Sequence, residues 1–385
     1  MRHARLNRPL GRRVVMAAAL AGPAAVAAAS WNPFMISSPT GFPLGPAVRT
    51  PQHIATLIQA LEPYVPSLHR NPANDRYRLA LWLLPVDGRG SVRHVSIAEQ
   101  RPAGEFRLAG LLGCDGRTVW FGFNGVAGVD LETGKLVGPA QLRAANRGLD
   151  ESWSDPRRIT FDGRLRVTSP DRKTVLEVDP TTLAVRPVVA VPRVSNLPLE
   201  PTVADFLSTG VRPAPAQWLG LHTAQEAARD YRPGGWLTRN DQPAETKAAR
   251  RFYRGALDPA GAAGRPTVLS MAPQEGEEYL NAAFVRSGMR TDPLRLEKPD
   301  GYLMIYTAGP GLGATTIVAR VGPDMRLAWK TDTGIDRFKL RQILPDARTP
   351  AFIGTRPAVP DKVPEPILVV VDAHSGRAVT TTLWR

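Results

Sequence analysis

From Tyr77 onward the chain is dominated by short runs in which apolar and polar residues alternate, broken at intervals by Gly, Asp and Pro. A period of two puts every second side chain on one face, so each run predicts a half-buried β-strand. Tyr77–Leu84 and Ser91–Ile97 flank the turn Val86–Gly90, and Arg107–Leu112, Thr118–Phe123 and Gly125–Asp130 follow. The last of these leads into Asp130-Leu131-Glu132-Thr133-Gly134, and Asp372-Ala373-His374-Ser375-Gly376 repeats that pattern near the C-terminus. A third copy, Asp179-Pro180-Thr181-Thr182-Leu183, keeps the acid, whereas Arg320–Trp329 keeps the spacing without it. Each copy predicts strand, tight turn, strand: the Asp carboxylate accepts backbone N–H bonds two or three positions on, and Gly or a polar residue takes the positive-φ position.

Asp130, Asp179, Gly322 and Asp372, taken as equivalent positions, are separated by 49, 143 and 50 residues. The middle gap is close to three periods, which leaves room for two further units. Four strands in roughly 40 to 50 residues is the signature of a β-propeller blade. The expected fold is therefore all-β, a propeller of six to eight four-stranded blades, with seven the best fit to the spacing. Residues 196–264 break the pattern. Glu200–Leu207, His222–Tyr231 with Thr223 as a cap, and Glu245–Tyr253 all read as helical, so a helical insertion is expected there at the cost of blades. Functional residues are expected in the irregular stretch 196–300, because the repeated turns serve the backbone.

The N-terminus divides differently. Residues 1–30 combine a basic start with an apolar run, Val14–Ala29, and small residues at Ala27 and Ala29, the pattern of an export signal; kept uncleaved, it would act as a membrane anchor. Arg12-Arg13 partly matches a twin-arginine signal. Residues 31–75 read as a linker with a short amphipathic helix over His53–Tyr64, where Ile54, Leu57, Ile58 and Leu61 share one face. The propeller domain is expected over 76–385, and the location is the periplasm or cell envelope, soluble or anchored.

The Asp130, Thr133 and Gly134 unit, together with Ala328-Trp329 closing another, resembles the blade motif of quinoprotein-like bacterial propellers. The wider layout has Asp-Gly-Arg turns, Trp218-Leu219-Gly220-Leu221-His222 in the middle and Glu277-Glu278-Tyr279-Leu280 before the last blades. It is similar to an uncharacterised family of exported or membrane-anchored bacterial proteins. The resemblance implies blade geometry and carries no activity, and no quinone site is visible.

Composition narrows the function classes. The chain holds 34 Gly and 37 Pro, spread along its length, which argues for frequent turns rather than disorder. The net charge of +14 invites a nucleic-acid reading, but five of the basic residues lie within the leader, and no basic stripe interleaved with aromatics follows. Nucleic acid is not an expected partner. The single cysteine, Cys114, excludes an intramolecular disulfide and a thiolate metal cage, and reads as a small buried residue.

The chemistry-bearing residues do not assemble into a catalytic set. His3, His53, His69, His94, His222 and His374 show no metal-binding spacing. His222 and Glu226, four apart on a predicted helix, form the best pair, and Glu275, Glu277 and Glu278 the densest acidic cluster. Gly309–Gly313 lies between two strands and reads as a hairpin, since a phosphate loop needs a following helix. Trp120, Phe121, Phe123, Trp329 and Trp384 occupy strand positions and read as packing between blades. No catalytic, cofactor or metal residue is assigned, and the cofactor is unknown. The expected function is a monomeric, exported binding module whose partner is a protein or small ligand of unknown identity. The rival is a hydrolase or lactonase-like propeller with a site in the central channel.

Overall fold

In the computed structural model, which describes residues 41–61, 77–101, 109–123, 125–146, 158–169, 174–188, 202–230, 248–261, 266–289, 291–297, 300–359 and 364–383, the repeated turn closes through the same backbone bonds in each Asp copy. Asp130 N–H donates to Lys135 O at 3.0 Å and Gly134 N–H to Asp130 O at 2.8 Å. The equivalent pairs, Asp179 to Ala184 with Leu183 to Asp179, and Asp372 to Arg377 with Gly376 to Asp372, are all 2.8 Å. Each carboxylate then accepts a third amide, from Thr133, Thr182 or Ser375. At Gly322 the turn is one residue shorter, with Met325 N–H donating to Gly322 O. The last positions, Gly134, Leu183, Met325 and Gly376, all have φ between 60° and 74°.

These turns connect the third and fourth strands of antiparallel meanders. The first meander is β1 (Gly41–Arg49), β2 (His53–Leu61), β3 (Tyr77–Pro85) and β4 (Arg93–Arg101). The second is β5 (Gly110–Cys114), β6 (Thr118–Gly122), β7 (Val126–Asp130) and β8 (Leu136–Val137), followed by helix α1 (Pro139–Ala145). The third is β9 (Ile159–Phe161), β10 (Leu165–Thr168), β11 (Val175–Val178) and β12 (Val185–Val188). A ten-stranded sheet follows, entered through a 3₁₀ turn at Val203–Phe206 and β13 (Leu207–Ser208). Its fourth meander is β14 (Gly210–Val211), β15 (Gln217–His222), β16 (Ala249–Asp258) and β17 (Thr267–Pro273), with helix α2 (Ala224–Asp230) between β15 and β16. The fifth is β18 (Tyr279–Val285), β20 (Gly301–Thr307), β21 (Thr315–Val321) and β22 (Leu327–Asp336), with β19 (Arg295–Leu296) paired to β20. The two fuse where Ala249 and Arg250 pair with Leu280 and Tyr279. The sixth meander is β23 (Leu340–Leu344), β24 (Ala351–Thr355), β25 (Pro366–Val371) and β26 (Ala378–Thr382).

The meanders stack face to face in cyclic order, which makes the fold a β-propeller. Ile54, Ile58 and Trp82 of the first share a core with Ile353, Leu368 and Val370 of the sixth. The opposite face of the first, through Ala55, Leu57 and Leu81, packs on Val119, Phe121 and Val129 of the second. Trp120 and Val126 then meet Leu165, Val167 and Val178 of the third. In the other direction Val369 and Val371 of the sixth pack on Leu303 and Val318 of the fifth, and the fifth packs on Leu219 and Phe252 of the fourth. First strands lie beside first strands: β1 next to β5 and β23, β5 next to β9, β14 next to β18.

The last strand of a unit also docks on the turn of the next. Trp329 of β22 covers Gly376, where a Cβ would fall 2.7 Å from the indole, and its Nε1–H donates to Ala373 O at 3.2 Å. Arg93 of β4 donates to Leu131 O, and Asn146, capping α1, bonds both Leu183 O and Val185 N–H. Val379 of β26 fills the space over Gly88 in the first meander. A repeat of turns in the sequence is thus a repeat of docking contacts in space.

Three expectations are corrected. His53–Tyr64 is not a helix as far as it is described: it supplies β2, a central strand buried on both faces. Ile54 and Ile58 face the sixth meander and Ala55 and Leu57 the second, and burial on both faces produces the spacing that mimicked a helix. Together with β1 it moves the start of the repeat to 41, inside the expected linker. Of Glu245–Tyr253, residues 249–253 belong to β16. Within 196–264 the described helical content is one 3₁₀ turn and α2, carried by a complete meander, so among the described residues the long gap between Asp179 and Gly322 holds one additional unit. The described residues therefore contain six meanders, within the expected range of six to eight. The leader and Trp384 lie outside the described residues, and no described helix is long and apolar enough to cross a membrane.

Candidate functional site

In an antiparallel meander, the turns between third and fourth strands lie at one end. The links entering the first strand and those joining second to third lie at the other. The Asp130-type turns therefore occupy one end of the fold. At the opposite end, where the fifth meander passes into the sixth, is a cavity of about 250 Å³. Asn281 of β18, Ile305, Tyr306 and Thr307 of β20 and Thr316 of β21 form its wall. Val203 and Leu207 close one side, and Arg337, Phe338 and Leu340, on the link from β22 to β23, close another.

Asn281 sits in an irregular stretch of β18. The register against β20 shifts between Leu280 and Ala283, and Asn281 takes φ 55°. Asn tolerates the left-handed region because its side chain can bond locally. Here the Nδ2 amide donates to Thr307 Oγ1 at 3.1 Å and the backbone N–H to Ala248 O at 2.8 Å. Its Oδ1 is buried with no hydrogen-bond partner.

The irregularity is braced from α2. Thr223 caps α2, as the sequence suggests, and Glu226 returns the bond: Glu226 N–H donates to Thr223 Oγ1 and Thr223 N–H to Glu226 Oε2. The same carboxylate receives Arg250 in a two-pronged pair at 2.7 and 3.0 Å, and Arg250 reaches Ala282 O at 3.5 Å. Arg250 is fully buried. Burial alone would raise the Glu226 carboxyl, but the hydrogen bonds from Arg250 and Thr223 and the nearby positive charge outweigh it and hold the group below the usual carboxylate range. His222 is buried and meets Tyr253 edge to face at 6.0 Å. Of the residue pair singled out in the sequence, Glu226 is thus taken up by Arg250 and Thr223. Glu226 is a brace behind Asn281.

Arg337 enters from the other side. Its N–H donates to Ala314 O at 3.0 Å and its Nη1 to Gly309 O at 3.3 Å, so the glycine-rich hairpin holds the side chain in place. The guanidinium lies 4.2 Å from the Phe338 ring centre. Its Nε is buried without a partner. Tyr306 contacts Tyr279 edge to face at 5.2 Å. Burial, with the Glu277 charge second, pushes both phenols up, so they stay protonated at neutral pH.

Of the acidic cluster, Glu278 pairs with Arg251, and Glu277 acts on the two tyrosines. Among the described residues no three His, Cys, Asp or Glu are grouped to hold a metal. Trp120 and Phe121 are fully buried packing residues, as expected. Cys114 is half-buried, and burial pushes its thiol up. The cavity residues Asn281 and Arg337 were not singled out from the sequence. Positive φ at a non-glycine residue leaves no mark in a single chain, and one Arg among 49 basic residues carries no signal.

No protein-family model matches the chain, and no curated protein is similar to it in sequence. Among solved structures it is similar to the β-propeller domain of the Trilobed protease from Pyrococcus furiosus, at 9% identity over 89% of this chain and 97% of that one, TM-score 0.31. The apo AtxE2 isopeptidase is 11% identical over 91% of this chain and 53% of its own, TM-score 0.40. An acylaminoacyl peptidase in complex with a chloromethyl ketone is 9% identical over 85% and 51%, TM-score 0.30. The chain spans about half the length of the latter two. With these TM-scores below 0.5, the fold rests on the sheets and their cyclic packing.

Proposed function

We propose that the protein is a ligand-binding propeller module, exported to the cell envelope, that takes a small molecule in the cavity between the fifth and sixth meanders. The observation that carries this reading is the lining of the cavity, where Asn281, Thr307, Thr316 and Arg337 stand among Leu207, Ile305 and Leu340. The mixed lining, apolar residues with a few convergent polar groups, is that of small-molecule sites. The volume holds about eight water volumes of roughly 30 Å³ each, which suits a single-ring compound. Export is supported by the leader-like residues 1–30, and intact mass of the secreted protein beginning near Ser30 checks it.

A fragment screen by thermal shift tests the binding reading. Hits are expected to stabilise the wild type and to lose their effect in Arg337→Met. Hits that stabilise both proteins equally would place binding elsewhere and overturn this reading.

A further inference from the structure

We infer that the cavity end of the propeller docks on a lipid surface with anionic headgroups, through three apolar loop tips and the cations between them. The inference uses the envelope location proposed above and stands whether or not a ligand enters the cavity. Six large apolar side chains are exposed among the described residues. Leu136 and Leu269 lie on the outer strands β8 and β17 and Met289 on the link after β18, each in a different place, as single surface apolar residues commonly do. The other three, Leu312 at 96%, Phe338 at 55% and Val359 at 53%, come from three loops at the end opposite the Asp130-type turns.

Those loops touch one another. Residues 308–314 join β20 to β21, 337–339 join β22 to β23, and 356–359 follow β24. Arg337 bonds Ala314 O and Gly309 O of the hairpin and lies against the Phe338 ring, and a Cβ at Gly313 would sit 3.8 Å from Pro357. The hairpin itself stands clear, since nothing lies within 4 Å of where a Cβ at Gly309 or Gly311 would be. Arg337 and Lys339 flank Phe338, and neither has a carboxylate partner among the described residues, whereas Arg356 is paired with Glu365. Glu275, Glu277 and Glu278, on the link into β18, lie at the same end and confine an anionic surface to the side of the sixth meander.

Shape and charge select the occupant. A folded protein partner would need a matching hollow for each tip, because specific interfaces pack as closely as protein interiors. A bilayer needs none: its acyl boundary accepts apolar side chains at different depths. Its headgroup phosphates attract Arg337 and Lys339, whose stems lie along apolar surface while the charge stays at the interface.

The test places an environment-sensitive dye at the tip, on Leu312→Cys in the full chain with Cys114→Ser, and adds vesicles of phosphatidylcholine with and without phosphatidylglycerol. The expected result is a blue shift of the dye with the anionic vesicles, weaker with phosphatidylcholine alone and reversed by salt. The same dye on Leu269→Cys, exposed on β17, should not respond. Unlabelled Leu312→Ser should lose about tenfold in flotation with the anionic vesicles. No shift at saturating lipid would overturn the inference, and so would equal shifts at both positions, which would show binding through another part of the chain. A shift that grows with protein concentration in the absence of lipid would assign these tips to a second copy instead.

Discussion

Gln342 of the sixth meander and Ala47 of the first exchange two hydrogen bonds: Ala47 N–H donates to Gln342 Oε1 and Gln342 Nε2 donates to Ala47 O, both at 2.8 Å. Residues 295 positions apart in the chain are thereby joined at the point where the first and last sheets meet. Arg49 reinforces the contact through Thr349 and Asp346. No strand is exchanged at this junction among the described residues; side-chain bonds and the shared core hold it.

Gln342→Leu leaves both backbone groups of Ala47 without their partner. A loss of about 1–3 kcal/mol in urea unfolding is expected.

The turn at Gly376 should tolerate substitution poorly for two reasons. Its φ is 74°, and a Cβ would press into the Trp329 ring. Gly376→Ala is expected to cost more than Trp329→Phe, and combining them should cost less than the sum, a coupling that a double-mutant cycle measures. Asp130→Ala should cost about 1–2 kcal/mol, above a simple turn bond, since Asp130 Oδ2 also accepts from Arg117 Nε at 2.8 Å.

Glu226→Ala removes the only carboxylate paired with Arg250 among the described contacts and leaves a cation buried. About 3 kcal/mol of destabilisation is expected from breaking such a pair. Replacing both residues with apolar ones should recover part of that loss, which chemical denaturation of the double variant checks.

Acid should unfold the protein in two stages. His53 and His94 are held below their usual value, by burial first and a neighbouring Arg second, so the folded state resists protonation that the unfolded chain accepts near pH 6.5. Stability is thus complete above about pH 6.5 and begins to fall below it. The carboxyls of Asp130, Asp372, Asp346, Glu226 and Glu177 are also held low. Their contribution is complete above the unfolded values of 3.8 and 4.5 and is lost as pH falls through the lower folded ones. Urea midpoints between pH 3 and 8 should show a shallow decline and then a steep one; a flat profile down to pH 4 would contradict the histidine part.

The repeating part of the fold is legible in the sequence because its turns demand particular residues. An Asp whose carboxylate accepts backbone amides two or three positions on recurs at Asp130, Asp179 and Asp372, and the structure builds the same turn at each. Strands buried on both faces are harder to read: β2 loses its alternation once neighbours cover both sides, and its spacing then reads as a helix. The site is harder still. Functional residues were expected in 196–300, and Val203, Leu207 and Asn281 do lie there, but Arg337 and the end of β20 come from beyond it. They meet only because adjacent meanders do, a relationship between units that no single stretch encodes.

The most direct test is a crystal structure of the protein grown with the strongest hit of the thermal-shift screen. The expected result is the ligand in the 250 Å³ cavity, against Arg337 and Phe338. A ligand bound elsewhere, with this cavity empty at saturating concentration, would contradict it.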